Sequence, residues 1–152
     1  MALTVLTVGK TKQDFVKTGV QEFLKRLHRY TVIRIIELPD ASLKNSNPEN
    51  VMEIEAEYIF NQIKTSDFLI ALAADGKALS SPQFAAFLEK NMQQNIFFCI
   101  GGVYGLSPKI LNRANYILSF SAFTFTHQMI RLLLLEQIYR ALNILIGGSY
   151  HK

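Results

Sequence analysis

The last third of the chain contains a run of small polar and aromatic residues suited to holding a small molecule. Residues 119–127 read Ser-Phe-Ser-Ala-Phe-Thr-Phe-Thr-His, which supplies hydroxyls, backbone amides, aromatic faces and one imidazole. Ligand pockets are lined in this way, by apolar and aromatic surface with a few polar groups. The alternation also fits an edge strand, and the pattern alone does not choose between an edge strand and a binding connector.

A glycine-rich run precedes it, at residues 101–105, Gly-Gly-Val-Tyr-Gly, directly after an apolar segment. Glycine admits positive φ and lets a ligand approach the backbone, although a tight strand-to-helix turn would use the same residues. The spacing is not that of a dinucleotide-binding fingerprint, and Gly76-Lys77 lacks the rest of a P-loop. Nicotinamide binding and nucleotide hydrolysis are therefore not predicted.

The chain ends on Tyr150, His151 and Lys152, which place a phenol, an imidazole and an ammonium group at the C-terminus. Terminal position alone favours a disordered tail. Metal-ligand spacing is absent, because Cys99 lies in an apolar segment and the three histidines are far apart in sequence, so no metal site is predicted.

The chemistry-bearing segments fall between alternating strand and helix patterns. Strands are predicted at residues 3–8, 31–38, 67–73, 96–100 and 116–120, and helices from 14 to 27, 48 to 64, 81 to 93, 109 to 114 and 127 to 146. The alternation predicts a single α/β domain over residues 1–152, with a mostly parallel sheet flanked by helices. Ligands bind beyond the carboxyl ends of such strands, which selects the loops at 73–77, 101–107 and 121–126. The polar loop at 39–49 is predicted to be the most mobile segment.

Composition limits the class of protein. A chain of 152 residues can build its own core, and a single cysteine excludes an intrachain disulfide. The N-terminus lacks a signal-peptide pattern, and the apolar run at 129–146 is interrupted by charged and polar residues. We therefore expect a soluble, cytoplasmic protein with no membrane partner.

Charge is segregated along the chain. Residues 1–34 carry seven basic and two acidic side chains, residues 35–70 two and seven, and residues 71–152 seven and three. The net charges of these three segments are +5, −5 and +4. Two basic segments suit contacts with a polyanionic ligand, but the same distribution also fits a solvated surface with no binding role.

The final predicted helix is apolar around most of its circumference. A helix of this kind must be covered on more than one face, so a second subunit is predicted to pack against it. Arg140 follows Glu136 by four positions, the spacing of an ordinary helical ion pair.

These segments together resemble the SPOUT methyltransferases, and within them the ribosomal RNA large subunit methyltransferase H family. The resemblance is carried by Ile-Gly-Gly-x-x-Gly-Leu-Ser-Pro at 100–108, Leu-Ser-Phe-Ser-Ala-Phe-Thr at 118–124, Glu-Gln-Ile-Tyr-Arg-Ala at 136–141 and Tyr-His at 150–151. Val-Gly-Lys at 8–10 and Ala-Asp-Gly-Lys at 74–77 also fit, so the resemblance covers the whole chain. The chain departs from the family pattern at Val103-Tyr104, Thr126, Gln128 and Gly148-Ser149.

The resemblance implies a C-terminal trefoil knot, a homodimer, and S-adenosylmethionine as methyl donor without a metal. The implied reaction is methylation of N3 of a pseudouridine in 23S rRNA, with the assembled ribosome as partner. The cofactor positions carried over from the family are Leu72, Gly102, Ser121, Ala122, Phe123, Thr124, Phe125 and Thr126.

Methyl transfer to an imide nitrogen requires that this nitrogen lose its proton and be held in line with the methyl group. His151 is the candidate base, with His127 as its rival at a helix start. Arg131, Arg140 or Lys152 would stabilise the anion, and Tyr150 would stack on the base. The predicted RNA contacts are Lys10, Lys12 and Lys152, joined by Lys25, Arg26 and Arg29 as further phosphate contacts.

Two other functions remain open from the sequence. One is a knotted methyltransferase that acts on tRNA. The other is a ribosome- or RNA-binding relative that has lost catalysis, which the unusual Val103-Tyr104 turn favours.

Overall fold

The computed structural model describes residues 1–152 and confirms the predicted α/β class. Strands and helices alternate in the order β1 Ala2–Val8, α1 Asp14–Leu27, β2 Val32–Leu38, α2 Pro48–Phe60, β3 Phe68–Ala78, α3 Ser81–Lys90, β4 Asn95–Ile100, α4 Pro108–Arg113, β5 Tyr116–Ser119 and α5 His127–Leu145. Both α2 and α3 end earlier than predicted, at Phe60 and Lys90. None of the helices combines the length and apolar character needed to cross a bilayer.

The five strands form one sheet in the order β2-β1-β4-β3-β5, and every pairing is parallel. The central strands β1 and β4 are buried along almost their whole length, which explains their uniformly apolar sequences. Because all strands run the same way, their carboxyl ends meet at one edge of the sheet. Residues 72–75 of β3 and the loops after β4 and β5 are thereby brought together.

Helices cover both faces of the sheet. Leu3 and Val5 of β1 face the core shared with α1, α3 and α5, whereas Leu6 faces the core shared with α2 and α4. The side-chain period of two along each strand produces this division. The long helix α5 packs between the sheet, α1 and α3, so its buried stripe is part of the larger core.

The prediction that β3 ends before residues 75–77 is wrong. The strand bulges between Leu72 and Lys77 and then pairs again with β5, at Leu118 and Ser119. Gly76 permits this close approach, since a Cβ there would lie 2.7 Å from the carbonyl oxygen of Ile117. The Asp-Gly-Lys sequence indicated a turn, but pairing with β5 overrides it.

The loop predicted to be mobile contains a short 3₁₀ helix at Ala41–Leu43. The Asp40 side chain accepts a hydrogen bond from the Ser42 N–H and caps this turn. Ala41 is buried, and its N–H donates to Glu55 of α2 at 3.2 Å. Part of this segment is therefore anchored to the body of the protein. The predicted cap of α2 by Asn47 is confirmed, whereas Ser80, not Ser81, caps α3.

Candidate functional site

A cavity of about 610 Å³ opens at the carboxyl edge of β3, β4 and β5. This volume lies in the range of about 300–1,000 Å³ typical of small-molecule sites. Of the eight predicted cofactor positions, all but Ala122 line it: Leu72, Gly102, Ser121, Phe123, Thr124, Phe125 and Thr126. Three segments distant in sequence therefore form one concave site.

The glycine loop after β4 forms one wall of the cavity. A Cβ on Gly101 would lie 2.6 Å from the carbonyl carbon of Gly105, so only glycine fits at that position. The Gly105 N–H donates to the Gly102 carbonyl at 3.1 Å, and Gly105 has a φ of +79°. The resulting turn leaves Val103 and Tyr104 exposed at the rim. Residues 101–105 therefore form a tight turn and also line the cavity, so both roles considered for these glycines are present.

The segment between β5 and α5 is a connector and not an edge strand. The buried Ser119 hydroxyl donates to the Ala74 carbonyl at 2.9 Å and approaches the Ser121 carbonyl at 3.1 Å. The Phe123 N–H in turn donates to the Ser121 hydroxyl at 3.0 Å. These contacts join the bulge of β3 to the connector and hold the two walls together.

His127, the first residue of α5, also lines the cavity. Its ring makes no hydrogen bond within the protein, so the imidazole is available to a ligand. Burial and the neighbouring charges of Arg131 and Lys12 lower the pKa of His127, while Asp40 opposes them. The neutral, proton-accepting form is therefore favoured at neutral pH.

Glu55 lies beneath the glycine loop and was not identified from the sequence. Its side chain is 2% exposed, and only one of its carboxyl oxygens has a hydrogen-bond partner. A Cβ on Gly102 would contact both of its oxygens, at 3.2 and 3.3 Å. Burial raises the pKa of Glu55 to about 7, and the negative charge of Asp40 acts in the same direction. The hydrogen bond from the Ala41 N–H lowers the pKa but does not offset the effect of burial. Its place four residues from Val51 and Ile59 on the buried stripe of α2 is the signal that could have revealed it.

The C-terminal tail is ordered, contrary to the expectation from its position. The Tyr150 ring packs edge-on against Tyr139, with 4.8 Å between centroids, and its hydroxyl donates to Glu136 at 3.1 Å. The Tyr150 N–H donates to Asn143 at 2.9 Å. Burial and the bond to Glu136 raise the pKa of Tyr150.

Arg140 contacts Glu136, Tyr150 and His151, and these four residues form the tail cluster. Arg140 forms the predicted pair with Glu136, its guanidinium carbon lies 4.7 Å from the centroid of the Tyr150 ring, and Nη1 is 3.5 Å from His151 Nδ1. The three predicted catalytic residues, Arg140, Tyr150 and His151, are therefore neighbours in the fold. None of them lines the cavity. Arg140 follows His127 by 13 positions on α5, which corresponds to roughly 20 Å along the helix axis.

The prediction that Arg131 could stabilise the anion of the substrate is wrong, because its guanidinium group is occupied within the protein. Its side chain is fully buried, and it donates to the carbonyls of Val8, Gly9 and His127 and to Thr11 Oγ1. It lies on the buried stripe of α5 with Leu134 and Leu135, a position that its sequence spacing could have indicated.

The predicted RNA contacts differ in their availability. Lys10, Lys12 and Lys152 are exposed, as are Lys25 and Arg29. Arg26 instead bonds to Glu22 at 2.7 Å and lies over the rings of Phe23 and Tyr139.

Comparison with known proteins agrees with the predicted family. The sequence profile of a family described as "Predicted SPOUT methyltransferase" matches residues 1–151. A protein named ribosomal RNA large subunit methyltransferase H from Carboxydothermus hydrogenoformans is 45% identical over 159 aligned residues, covering all of both chains. A protein of the same name from Halothermothrix orenii is 43% identical, again over all of both chains.

Solved structures show the same fold at low sequence identity. A probable methyltransferase from Bordetella pertussis Tohama I has a TM-score of 0.56 at 8% identity, covering 93% of this chain and 93% of that chain. A probable methylase family protein from Haemophilus influenzae Rd KW20 has a TM-score of 0.54 at 14% identity, covering 99% of this chain and 70% of the other. The profile match and the full-length relatives place the chain in the SPOUT methyltransferase family, among the ribosomal RNA large subunit methyltransferase H proteins.

Proposed function

We propose that this protein methylates N3 of a pseudouridine in 23S rRNA, with S-adenosylmethionine as methyl donor. The observation that carries the proposal is the convergence of seven carried-over cofactor positions on one cavity. The shared name of the full-length relatives supports the large-subunit rRNA as the substrate.

The cavity suits a nucleoside-sized cofactor. Thirteen of its 21 lining residues are hydrophobic, which favours a flat aromatic base, and Gly101, Gly102 and Gly105 of the glycine loop line it. Leu72, Gly102 and the connector at 121–126 would hold the donor. When bound, it supplies an electrophilic methyl carbon, and no metal is needed for that chemistry.

The residues of the tail are suited to activating the nucleotide. An imide nitrogen becomes a good nucleophile only after it loses its proton, and a nearby guanidinium such as that of Arg140 lowers the pKa of that nitrogen. The imidazole of His151, beside Arg140, would accept the proton, and Tyr150 would stack on the base. His127 in the cavity wall is the second group positioned to accept it.

A homodimer would bring the donor cavity and the proposed catalytic residues of the tail together. Within one chain the tail cluster and the cavity are separated by roughly 20 Å along α5. In a symmetric dimer, the tail of one protomer can reach the cavity of its partner. The predicted homodimer would therefore complete the active site, whereas α5 itself is already covered within one chain by the sheet, α1 and α3. The trefoil knot stays a prediction of the family resemblance.

The proposed partner is the assembled ribosome in the cytoplasm. Lys10, Lys12 and Lys152 are free to contact phosphates of the rRNA, which predicts binding that weakens as salt increases.

Two measurements test this proposal. Isothermal titration calorimetry should show that the purified protein binds S-adenosylmethionine. Labelled donor should then transfer its methyl group to assembled ribosomes or free 23S rRNA but not to tRNA, with mass spectrometry locating the label on N3 of a pseudouridine.

Each alternative function has its own outcome. Methylation of tRNA instead of rRNA would assign the protein to another knotted methyltransferase. If the protein does not bind S-adenosylmethionine, it is a non-catalytic relative, and a change such as Val103-Tyr104 in the glycine loop would account for the lost donor binding.

A further inference from the structure

Gln128 connects the first turn of α5 to the loop that follows β1. Its side chain is 7% exposed. Its Oε1 accepts from the backbone N–H of Lys12 at 2.9 Å, and its Nε2 donates to the carbonyl of Lys10 at 2.9 Å. One side-chain amide thus fixes the backbone on both sides of Thr11.

Arg131 completes this attachment one turn further along α5. It donates to the carbonyls of Val8 and Gly9, at 2.7 and 2.9 Å, and to Thr11 Oγ1 at 2.9 Å. With the two bonds of Gln128, each residue from Val8 to Lys12 is therefore bonded to α5. The loop moves with the helix that forms part of the cavity wall.

The side chains that this loop presents are cationic and free. Lys10 and Lys12 are exposed, and neither forms an ion pair. Lys12 is close enough to His127 for its charge to act on that imidazole, which lines the cavity. Two ammonium groups on a fixed backbone beside a concave site suit phosphodiester oxygens, because less conformational freedom is lost on binding.

The geometry points to Gln128 as a positioning residue that holds Lys10 and Lys12 against the RNA phosphates flanking the nucleotide that enters the cavity. This inference rests on the proposed function and adds to it the part of the protein surface that orients the RNA. Gln128 itself contacts neither the donor nor the reacting base.

The test compares Gln128→Leu, which keeps the size of the side chain and loses both hydrogen bonds, with Gln94→Leu as a control. The Gln94 side chain donates to Asn91 Oδ1 just before β4 and bonds to neither the loop nor the tail. Three quantities are measured: the Kd for S-adenosylmethionine, the Kd for a 23S rRNA transcript across a salt series, and KM against kcat for methyl transfer.

For Gln128→Leu we expect RNA affinity to fall roughly tenfold and the slope of log Kd against log salt to decrease by about 1 to 2. KM for RNA should rise while kcat at saturation and the Kd for the donor stay within about twofold of wild type. Lys10→Gln/Lys12→Gln should reproduce the smaller slope, and adding Gln128→Leu to it should have little further effect.

An unchanged salt slope in Gln128→Leu would overturn the inference, as would a slope unchanged by removing both lysines. If Gln128→Leu does not fold, Gln128→Asn provides the same measurement, because it stays polar but is one methylene too short to make both bonds. Wild-type protein that binds RNA without methylating it would refute the proposed function and leave the salt-slope comparison valid.

Discussion

At the scale of single residues, the buried carboxyl of Glu55 should make stability depend on pH. Its pKa of about 7 lies above the ordinary value of 4.5, so the folded state binds the proton more tightly than the unfolded state. Its contribution to stability is therefore complete at low pH and is lost as the pH rises through about 7. Two and a half pKa units correspond to at most about 3 kcal/mol.

We expect Glu55→Gln, which resembles the neutral acid, to match wild type near pH 4 and to be more stable by up to about 3 kcal/mol at pH 8. Urea unfolding at a series of pH values measures the difference. Glu57→Gln, on the exposed side of α2, is the control and should not remove the pH dependence. If wild type and Glu55→Gln have parallel profiles from pH 5 to 8, the carboxyl is already ionised in the folded protein.

His151 belongs to the same scale, because a single imidazole is proposed to accept the proton. Replacing it by alanine should reduce kcat by about 100-fold, the lower end of the usual effect of a general base. The Kd for S-adenosylmethionine should change less than about twofold, since His151 lies outside the cavity. Calorimetry and single-turnover methyl transfer measure the two quantities. Loss of donor binding would show that His151 has been assigned the wrong role, and full activity would leave His127 as the base.

At the scale of structural elements, the end of α5 and the two glycines after it hold the tail in place. The Gly148 N–H donates to the Asn143 carbonyl at 2.8 Å, and Gly147 has a φ of +69°. A Cβ on Gly148 would lie 2.3 Å from Asn143 Oδ1, the atom that accepts from the Tyr150 N–H. The tail is thus docked through a contact that only glycine allows.

Gly148→Ala should therefore displace the tail from Glu136 and Asn143. We expect methyl transfer to fall by at least about tenfold, because His151 is no longer held beside Arg140, with donor affinity unchanged. Ser149→Ala, at an exposed neighbouring position, is the control. The NMR chemical shifts of the Tyr150 amide and ring report the docking directly. Undiminished activity in a variant with an undocked tail would remove the tail from the mechanism.

At the scale of the whole molecule, the separation of cavity and tail predicts complementation between subunits. Gly102→Val should displace the glycine loop from the cavity wall, since a Cβ at this position would lie 3.0 Å from Val8 Cγ1 and 3.2 Å from Glu55 beneath the loop, and His151→Ala removes the proposed base. Each variant alone should be inactive as a homodimer. Mixing them, with unfolding and refolding to exchange subunits, should restore about one quarter of wild-type activity, because half of the dimers are mixed and each contains one complete site.

Carrying a different affinity tag on each variant and isolating the doubly tagged species confirms that the assayed protein is the heterodimer. A mixture of Gly102→Val with Gly102→Val/His151→Ala is the control and should stay inactive. No recovery in a confirmed heterodimer would mean that each chain uses its own tail.

Local sequence determined most of the elements and the edge of the sheet where the site lies. The apolar sequences of β1 and β4 indicate strands that are covered on both faces. The side chains of Asn47 and Thr126 accept hydrogen bonds from backbone N–H groups in the first turns of α2 and α5, so these helices begin where the sequence provides a cap. The glycines at 101 and 102 and the polar-aromatic connector were visible as candidate cavity walls, because these properties belong to neighbouring residues.

Tertiary structure alone decided which distant groups meet. The β3 bulge depends on pairing with β5, the burial of Glu55 depends on the glycine loop above it, and the order of the tail depends on Asn143 and Glu136. Gln128 acquires partners more than 100 positions away, at Lys10 and Lys12. Hydrogen bonding and desolvation act over a few ångströms in space, and the separation of two residues along the chain does not reveal that distance until the chain is folded.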